Sequence, residues 1–484
     1  MSNPKAKYCD NCASSTHERT DKYLTKAKEL GEQLEALQPY AVTDADWQKV
    51  LSMMPMDLEA TAEATKAIQR RREVRRAEDL LRIALIYALC DWSLLLTAAW
   101  ACLMGWANLS GIALRKRLKG AKTFMGALLA AWVIRNRGEL ADYPVRLRLV
   151  DATAVSGLHS KGTDWRIHLS FDLGQGGFDG VEVTDSHGGE TLVRHPAQPG
   201  DILVADRGYA HRRGIGKVLS QSGALVVRIS LQNVPMNDEA GEKFNPLPWL
   251  RQAPAGEPIE HKVQIETPDG TFSVRLIARR LNEQAAEAAR RRLRQQARKK
   301  GRTPDQRSLE AAGFITVLSN LAPQEWSAGQ VLAAYRLRWQ VELAFKRLKG
   351  VLTLDHLRAQ DPDLCQTYLL AKLLGAMMVD RLSRAGSAPS IDWFESVERP
   401  VSPWRWLVLW SDALRRAVQG LLSLSQLLSA VDRLGRYLCD TPRRRRQHYA
   451  LGRHLMKMLT DLARAPADET VHAKQLAPVF MALS

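Results

Sequence analysis

PVRLRLVD, residues 144–151, and DILVAD, residues 201–206, decide the fold. Each is a short apolar run of strand-favouring residues that stops on a carboxylate. WRIHLSFDL (165–173), GVEVTD (180–185) and ALVVRI (224–229) have the same character, with Gly-rich breaks between them. The stretch 208–220 reads as a helix set between two of these strands. The segment is therefore mixed α/β. Asp151 and Asp206 are delivered to the carboxyl edge of a sheet, where sites form in such proteins.

Working outward, HKVQIET (261–267) and TFSVRLIARR (271–280) predict two more strands, followed by a charged helix over 282–300 that ends in the basic run RRRLRQQARKKGR. GFITVLSNL (313–321) predicts a strand and 327–349 an amphipathic helix. Residues 351–484 read as mainly helical, with a second basic run at 443–446. Upstream, residues 20–84 carry apolar spacing near the helical period, interrupted at Pro39 and Pro55.

Residues 92–114 hold no charge and are long enough to span a bilayer. Gly105 signals a turn in the middle, however, and Asn108 and Ser110 can cap a new helix, so two packed helices are expected rather than a membrane span. The second, GIALRKRLK (111–119), is basic. Helix, short turn and basic helix predict a helix-turn-helix over 93–120, with Arg115, Lys116, Arg117 and Lys119 directed at DNA. A solvated basic face would read the same way.

The 484 residues carry 69 Lys and Arg against 52 Asp and Glu, a net charge of +17, which points to a polyanionic partner, nucleic acid before acidic membrane. The 6 cysteines are too few to staple such a chain, which excludes a disulfide-built secreted module. No secretory signal is visible, so the cytoplasm is expected. Cys9 and Cys12, with His17 after them, form only half of a zinc-ligand spacing, and a tail is the simpler reading.

Chemistry concentrates on three acids: Asp151, Asp206 and Glu342, the last on the 327–349 helix. Carboxylates without His or Cys partners are the ligand set of hard divalent cations, Mg²⁺ or Mn²⁺. Two such ions can activate a nucleophile and hold a leaving oxygen in phosphoryl transfer. Tyr335, Arg338, Glu342, Lys346 and Lys349 recur at helical steps, so they are expected along one face. An acid among cations suits a metal ligand between phosphate clamps, although solvated ion pairs would look alike. His159, His168 and His187 read as hydrogen-bonded strand or loop histidines rather than as a proton shuttle.

Tyr335-x₂-Arg338-x₃-Glu342-x₆-Lys349, the first Asp in LVDATAVSG and the second in ILVADRGYA together resemble the insertion-sequence transposases of the IS-four type, the group that also holds the Tn-five transposase. The resemblance covers roughly residues 80–385. It implies a ribonuclease-H-like α/β catalytic core, a mixed sheet with flanking helices, over 141–229 and 312–383. A β-rich insertion with the basic helix would occupy 230–311, a helical DNA-binding region 1–140, and a helical region available for dimerisation 384–484. Two Mg²⁺ or Mn²⁺ ions on Asp151, Asp206 and Glu342 are implied, with Tyr335, Arg338 and Lys349 on the DNA. The family carries an aromatic, usually Trp, that stacks on a base flipped out at the element's end; here the matching residue is Phe314, with a core Phe as the competing reading and Trp249 and Trp326 as weaker candidates. Arg228 would reach a DNA phosphate. The implied partners are double-stranded DNA, as terminal inverted repeats and as target, and a second copy in the synaptic complex. A cytoplasmic enzyme of this kind joins the nucleoid when bound. A metal-dependent nuclease of the same fold, or an inactive DNA-binding repressor, are the alternatives.

Overall fold

The computed structural model describes residues 45–386 and 402–420, apart from 139–144, 158, 159, 161, 175, 176 and 356. Cys9, Cys12, His17 and the basic run 443–446 lie outside the described residues. Among the described residues six helices come first: α1 (Ala45–Ser52), α2 (Leu58–Ala64), α3 (Ala77–Leu89), α4 (Leu94–Leu103), α5 (Gly111–Gly120) and α6 (Lys122–Gly138). The uncharged stretch 92–114 is α4, a turn and α5. Ser93 accepts the Leu96 N–H at 3.2 Å and Ser110 the Ala113 N–H at 3.2 Å, while Gly105 turns the chain at a left-handed φ of 71°. Such hydroxyl caps satisfy orphan donors and start a helix where they stand. Among the described residues no helix is long and apolar enough to cross a membrane.

This helix pair is less buried than its composition suggests. Leu95 and Ile112 are each 73 % exposed. Of the basic residues on α5, Lys119 and Arg115 reach Asp361 at 2.7 and 3.4 Å and Arg117 donates to Ala67 O at 3.3 Å. The outward face of α5 is therefore Ile112, Arg115 and Lys116, spaced by three and four residues.

The strands are β1 (Arg146–Val155), β2 (Trp165–Asp172), β3 (Gly177–Asp185) and β4 (Asp201–Ala205), then α7 (Arg212–Ser220) and β5 (Ala224–Arg228). After these come α8 (Pro246–Arg251), β6 (Pro258–Thr267), β7 (Gly270–Arg280), α9 (Glu283–Lys299), α10 (Gln306–Ala311) and β8 (Phe314–Ser319). The chain continues through α11 (Ala328–Leu337), α12 (Trp339–Leu352), α13 (Pro362–Gly386) and α14 (Pro403–Gln419). One eight-stranded sheet runs in the order β3-β2-β1-β4-β5-β8-β7-β6. β1, β4 and β5 are parallel neighbours and every other pairing is antiparallel. The β6–β7 hairpin of the insertion extends this sheet, because β7 pairs along β8 from Arg275↔Ser319 to Arg280↔Phe314.

The starting end of the sheet is knotted by charge. Arg148, 1 % exposed, donates to Asp179 at 2.6 Å and Asp201 at 2.9 Å, and Arg146 reaches Asp179 at 3.1 Å and Asp172 at 3.4 Å. These groups come from β1, β2, β3 and β4. Opposite charges satisfied by several hydrogen bonds are the condition under which ions tolerate burial.

Candidate active site

The parallel register sets the site. Leu149 pairs with Val204 and Ala205 with Val227. Continued past these pairs, the same register puts Asp151 level with Asp206, and Asp206 level with Arg228; Asp151, expected to end its strand, lies inside β1, which runs on to Val155 paired along β2. Registered residues on parallel strands point to one face, so two acids and a cation line up across three neighbouring strands. Asp206 leaves β4 in extended conformation, φ −81° and ψ 175°, and its carboxylate accepts the Arg207 N–H at the start of a short 3₁₀ turn, Arg207–Tyr209. The strand-end carboxylate that caps the next turn is thus also the one held beside Asp151.

The 327–349 segment, expected as one helix, is two. Arg338 separates α11 from α12, where its N–H bonds Tyr335 O at 3.1 Å and its carbonyl accepts the Val341 N–H at 3.1 Å. Both bonds span three residues rather than four, so the turn is tightened. No Gly or Pro stands near Arg338, Gly329 lying in the first turn of α11; the tight turn accompanies the tertiary contacts of Arg338. Its guanidinium binds Glu342 at 2.5 Å and lies 3.7 Å from Asp151. Tyr335, 7 % exposed, is hydrogen-bonded by Arg228 and sits within the field of Asp206. Asp151, Asp206, Arg228, Tyr335, Arg338 and Glu342 thus form one neighbourhood. Lys349 lies two turns further along α12 and is half-buried, and Lys346 is exposed.

Electrostatics single out Asp151. Burial pushes its carboxyl up to about 6; the Ala152 N–H, donating at 2.9 Å, and Arg338 oppose this, while the charges of Glu342 and Glu190 add to it. Burial likewise raises the Tyr335 phenol, and the Asp206 charge adds to that effect. The Arg338 guanidinium is pushed further up, because nearby Tyr335, Glu342 and Asp206 outweigh its own desolvation. Among the described residues no three His, Cys, Asp or Glu side chains already converge as a metal-holding group. The positive charge between Asp151 and Glu342 is that of Arg338. The donor set nonetheless fits a hard divalent cation: oxygen ligands alone, level on adjacent strands, with a desolvated carboxyl that gains from a positive neighbour.

Phe314 opens β8 and is 9 % exposed, packed with Leu247, Leu250, Ala253 and Ala278. Its ring also lines a cavity of about 780 Å³ together with Arg207, Arg228, Phe244, Arg292 and Arg307, and the Arg280 guanidinium lies 5.4 Å from the ring centre. Trp326 is buried, its carbonyl accepting from Arg275 at 2.8 Å. Trp249 stands against Phe244 at 6.2 Å. His168 is 1 % exposed and pushed down to about 4 by burial, with Nε2 3.0 Å from Thr184 Oγ1, so it sits as a neutral packed histidine. Glu190 and Tyr209 were not singled out from the sequence. Glu190 follows the Gly188-Gly189 pair in a loop without periodicity, and Tyr209 is the last residue of the Asp-Arg-Gly-Tyr block.

Two acids level on neighbouring parallel strands and a third on a helix in the same neighbourhood stand on a mixed sheet with flanking helices, the architecture of a ribonuclease-H-like core. The Transposase DDE domain family matches residues 146–378. Over 357 residues the chain is 37 % identical to the putative transposase InsL for insertion sequence element IS186A of Escherichia coli (strain K12), covering 72 % of this chain and 95 % of that protein. It is 37 % identical over 358 residues, with the same coverage, to the transposase for insertion sequence element IS421 of Escherichia coli. Against the transposase for IS231F of Bacillus thuringiensis subsp. israelensis the identity is 26 % over 273 residues, 50 % of this chain and 57 % of that protein. The chain belongs to the DDE transposases of insertion sequences, enzymes that depend on divalent metal.

Proposed function

We propose that this transposase cuts DNA at the ends of its element and joins the freed 3′-hydroxyls to target DNA, with Asp151, Asp206 and Glu342 holding two Mg²⁺ or Mn²⁺ ions. The observation that carries the reading is the register that levels Asp151 with Asp206 on β1 and β4. The bound ions would supply a nucleophile at neutral pH and a counter-charge for the leaving oxygen. Arg338 pairs with Asp151 and Glu342 and would turn to a DNA phosphate where their carboxylates hold metal. Tyr335 and Arg228 fix the backbone on the Asp206 side, and Lys349 meets it further along α12.

The cavity beside Asp206 suits an extruded nucleotide, with Phe314 as the stacking face and Arg207 and Arg228 for its phosphate. Its volume exceeds that of one base, and base stacking on an aromatic is worth ~1–3 kcal/mol. The outward face of α5 would enter a groove of the element's ends, and two copies would hold two ends in a synaptic complex. The insertion with α9, residues 230–311, would cover the bound end.

The test uses a supercoiled donor carrying the element's own ends. Asp151→Asn, Asp206→Asn and Glu342→Gln are each expected to abolish cleavage and to keep end binding, since phosphate contacts come from other residues. Cleavage retained in any one of them removes that residue from the centre.

A further inference from the structure

A fourth carboxylate stands at the same edge of the sheet, within the field of Asp151. β3 ends at Asp185, and the loop that follows is pinned from both sides: Arg166 donates to Gly188 O at 2.9 Å and Arg194 to Gly189 O at 3.1 Å. Thr191 then caps the next turn, accepting the Val193 N–H at 3.3 Å. Between these anchors Glu190 extends over Gly208, two residues after Asp206. Its Oε2 occupies the place a Cβ at Gly208 would take, and its Cδ lies 3.1 Å from that position. A side chain at Gly208 would therefore displace this carboxylate.

A second observation comes from below. Tyr209 is fully buried, and its hydroxyl finds no hydrogen-bond partner among the described residues. Burial raises that phenol, and the charges of Asp151 and Glu190 raise it further, so both carboxylates are its neighbours. An orphaned donor between two acids is expensive unless a bound group draws the acids toward it.

We propose that Glu190 is a fourth acidic residue of the metal centre, carried over Gly208 by a doubly anchored loop and oriented by the Tyr209 hydroxyl. This rests on the reading of Asp151, Asp206 and Glu342 as metal ligands. With the cation held, Glu190 would add its negative charge to the ligand set, and the Tyr209 hydroxyl, which has no partner among the described residues, would turn to the Glu190 carboxylate. Outer partners of this kind orient the ligands and commonly contribute 10–100-fold in metal affinity.

The experiment is a calorimetric titration of Mn²⁺ into the full chain bound to an end duplex, with melting in EDTA recorded alongside. Glu190→Gln is expected to weaken Mn²⁺ binding at least tenfold and Tyr209→Phe several-fold. Gly208→Ala is expected to match Glu190→Gln, since the added methyl displaces the carboxylate. Should Glu190→Gln fail to fold, Glu190→Asp retracts the carboxylate and is expected to weaken Mn²⁺ binding in its place. Unchanged Mn²⁺ affinity in the Glu190 variant, with affinity lost in Asp151→Asn, overturns the role of Glu190 alone. Affinity unchanged in both overturns the metal-centre reading as well.

Discussion

Asp151 illustrates how a side chain proposed as a metal ligand can be costly to the fold. Its folded-state pKa, about 6, lies above the ordinary 3.8, so the folded chain binds this proton more tightly than the unfolded one. Stability therefore falls as pH rises from about 4 to about 6, and at neutral pH the penalty is of the order of 2–3 kcal/mol without metal. Asp151→Asn should melt higher than the native chain in EDTA at pH 7.5, with the difference closing below about pH 4. An equal or lower melting temperature at pH 7.5 would show that the carboxylate is not strained. The three acids were legible because a carboxylate closing an apolar run, and one amid helix-spaced cations, are local patterns, although β1 runs on past Asp151 to Val155. Glu190 was not, since its place depends on Arg166 and Arg194 gripping Gly188 and Gly189, and nothing in HGGE announces either contact.

Among the elements, β1 shows the limit of periodicity. In RLRLV charged and apolar residues alternate, yet Arg146 and Arg148 are 8 % and 1 % exposed because Asp172, Asp179 and Asp201 come from three other strands to meet them. Removing one partner from such a buried set strands a charge. Asp179→Ala should lower unfolding stability by about 3–5 kcal/mol in a denaturant titration; a loss under 1 kcal/mol would mean that water or the remaining acids replace it. The α4–α5 boundary was readable from Ser93, Gly105 and Ser110, since caps and turns act locally. The division of 327–349 at Arg338 was not, because it accompanies contacts to Asp151 on a distant strand. HKVQIET and TFSVRLIARR likewise announced a hairpin without naming β8 as its neighbour.

Across the whole molecule, the surplus of +17 is spread so that α9 stands out. That helix buries only Ala286, and Arg291, Arg292, Arg298 and Lys299 are exposed on it. Each phosphate contact shifts the slope of log affinity against log salt by roughly 0.9, so Arg291→Ala with Arg298→Ala should flatten the slope for DNA by up to about 2. An unchanged slope would mean that α9 points away from DNA. A different consequence follows from where the chain closes on itself. Arg82 of α3 donates to Val418 O at 2.8 Å, and Arg415 of α14 returns a bond to Leu89 O at 2.9 Å, so the first large helix is completed by the last one described. At typical rates of synthesis, Glu342 leaves the ribosome roughly 7–27 s after Asp206, and α14 follows some seconds later. The growing polypeptide thus carries the basic sequences of α5 and α9 while the third acid is still unmade, and α3 waits longer still for the helix that completes it.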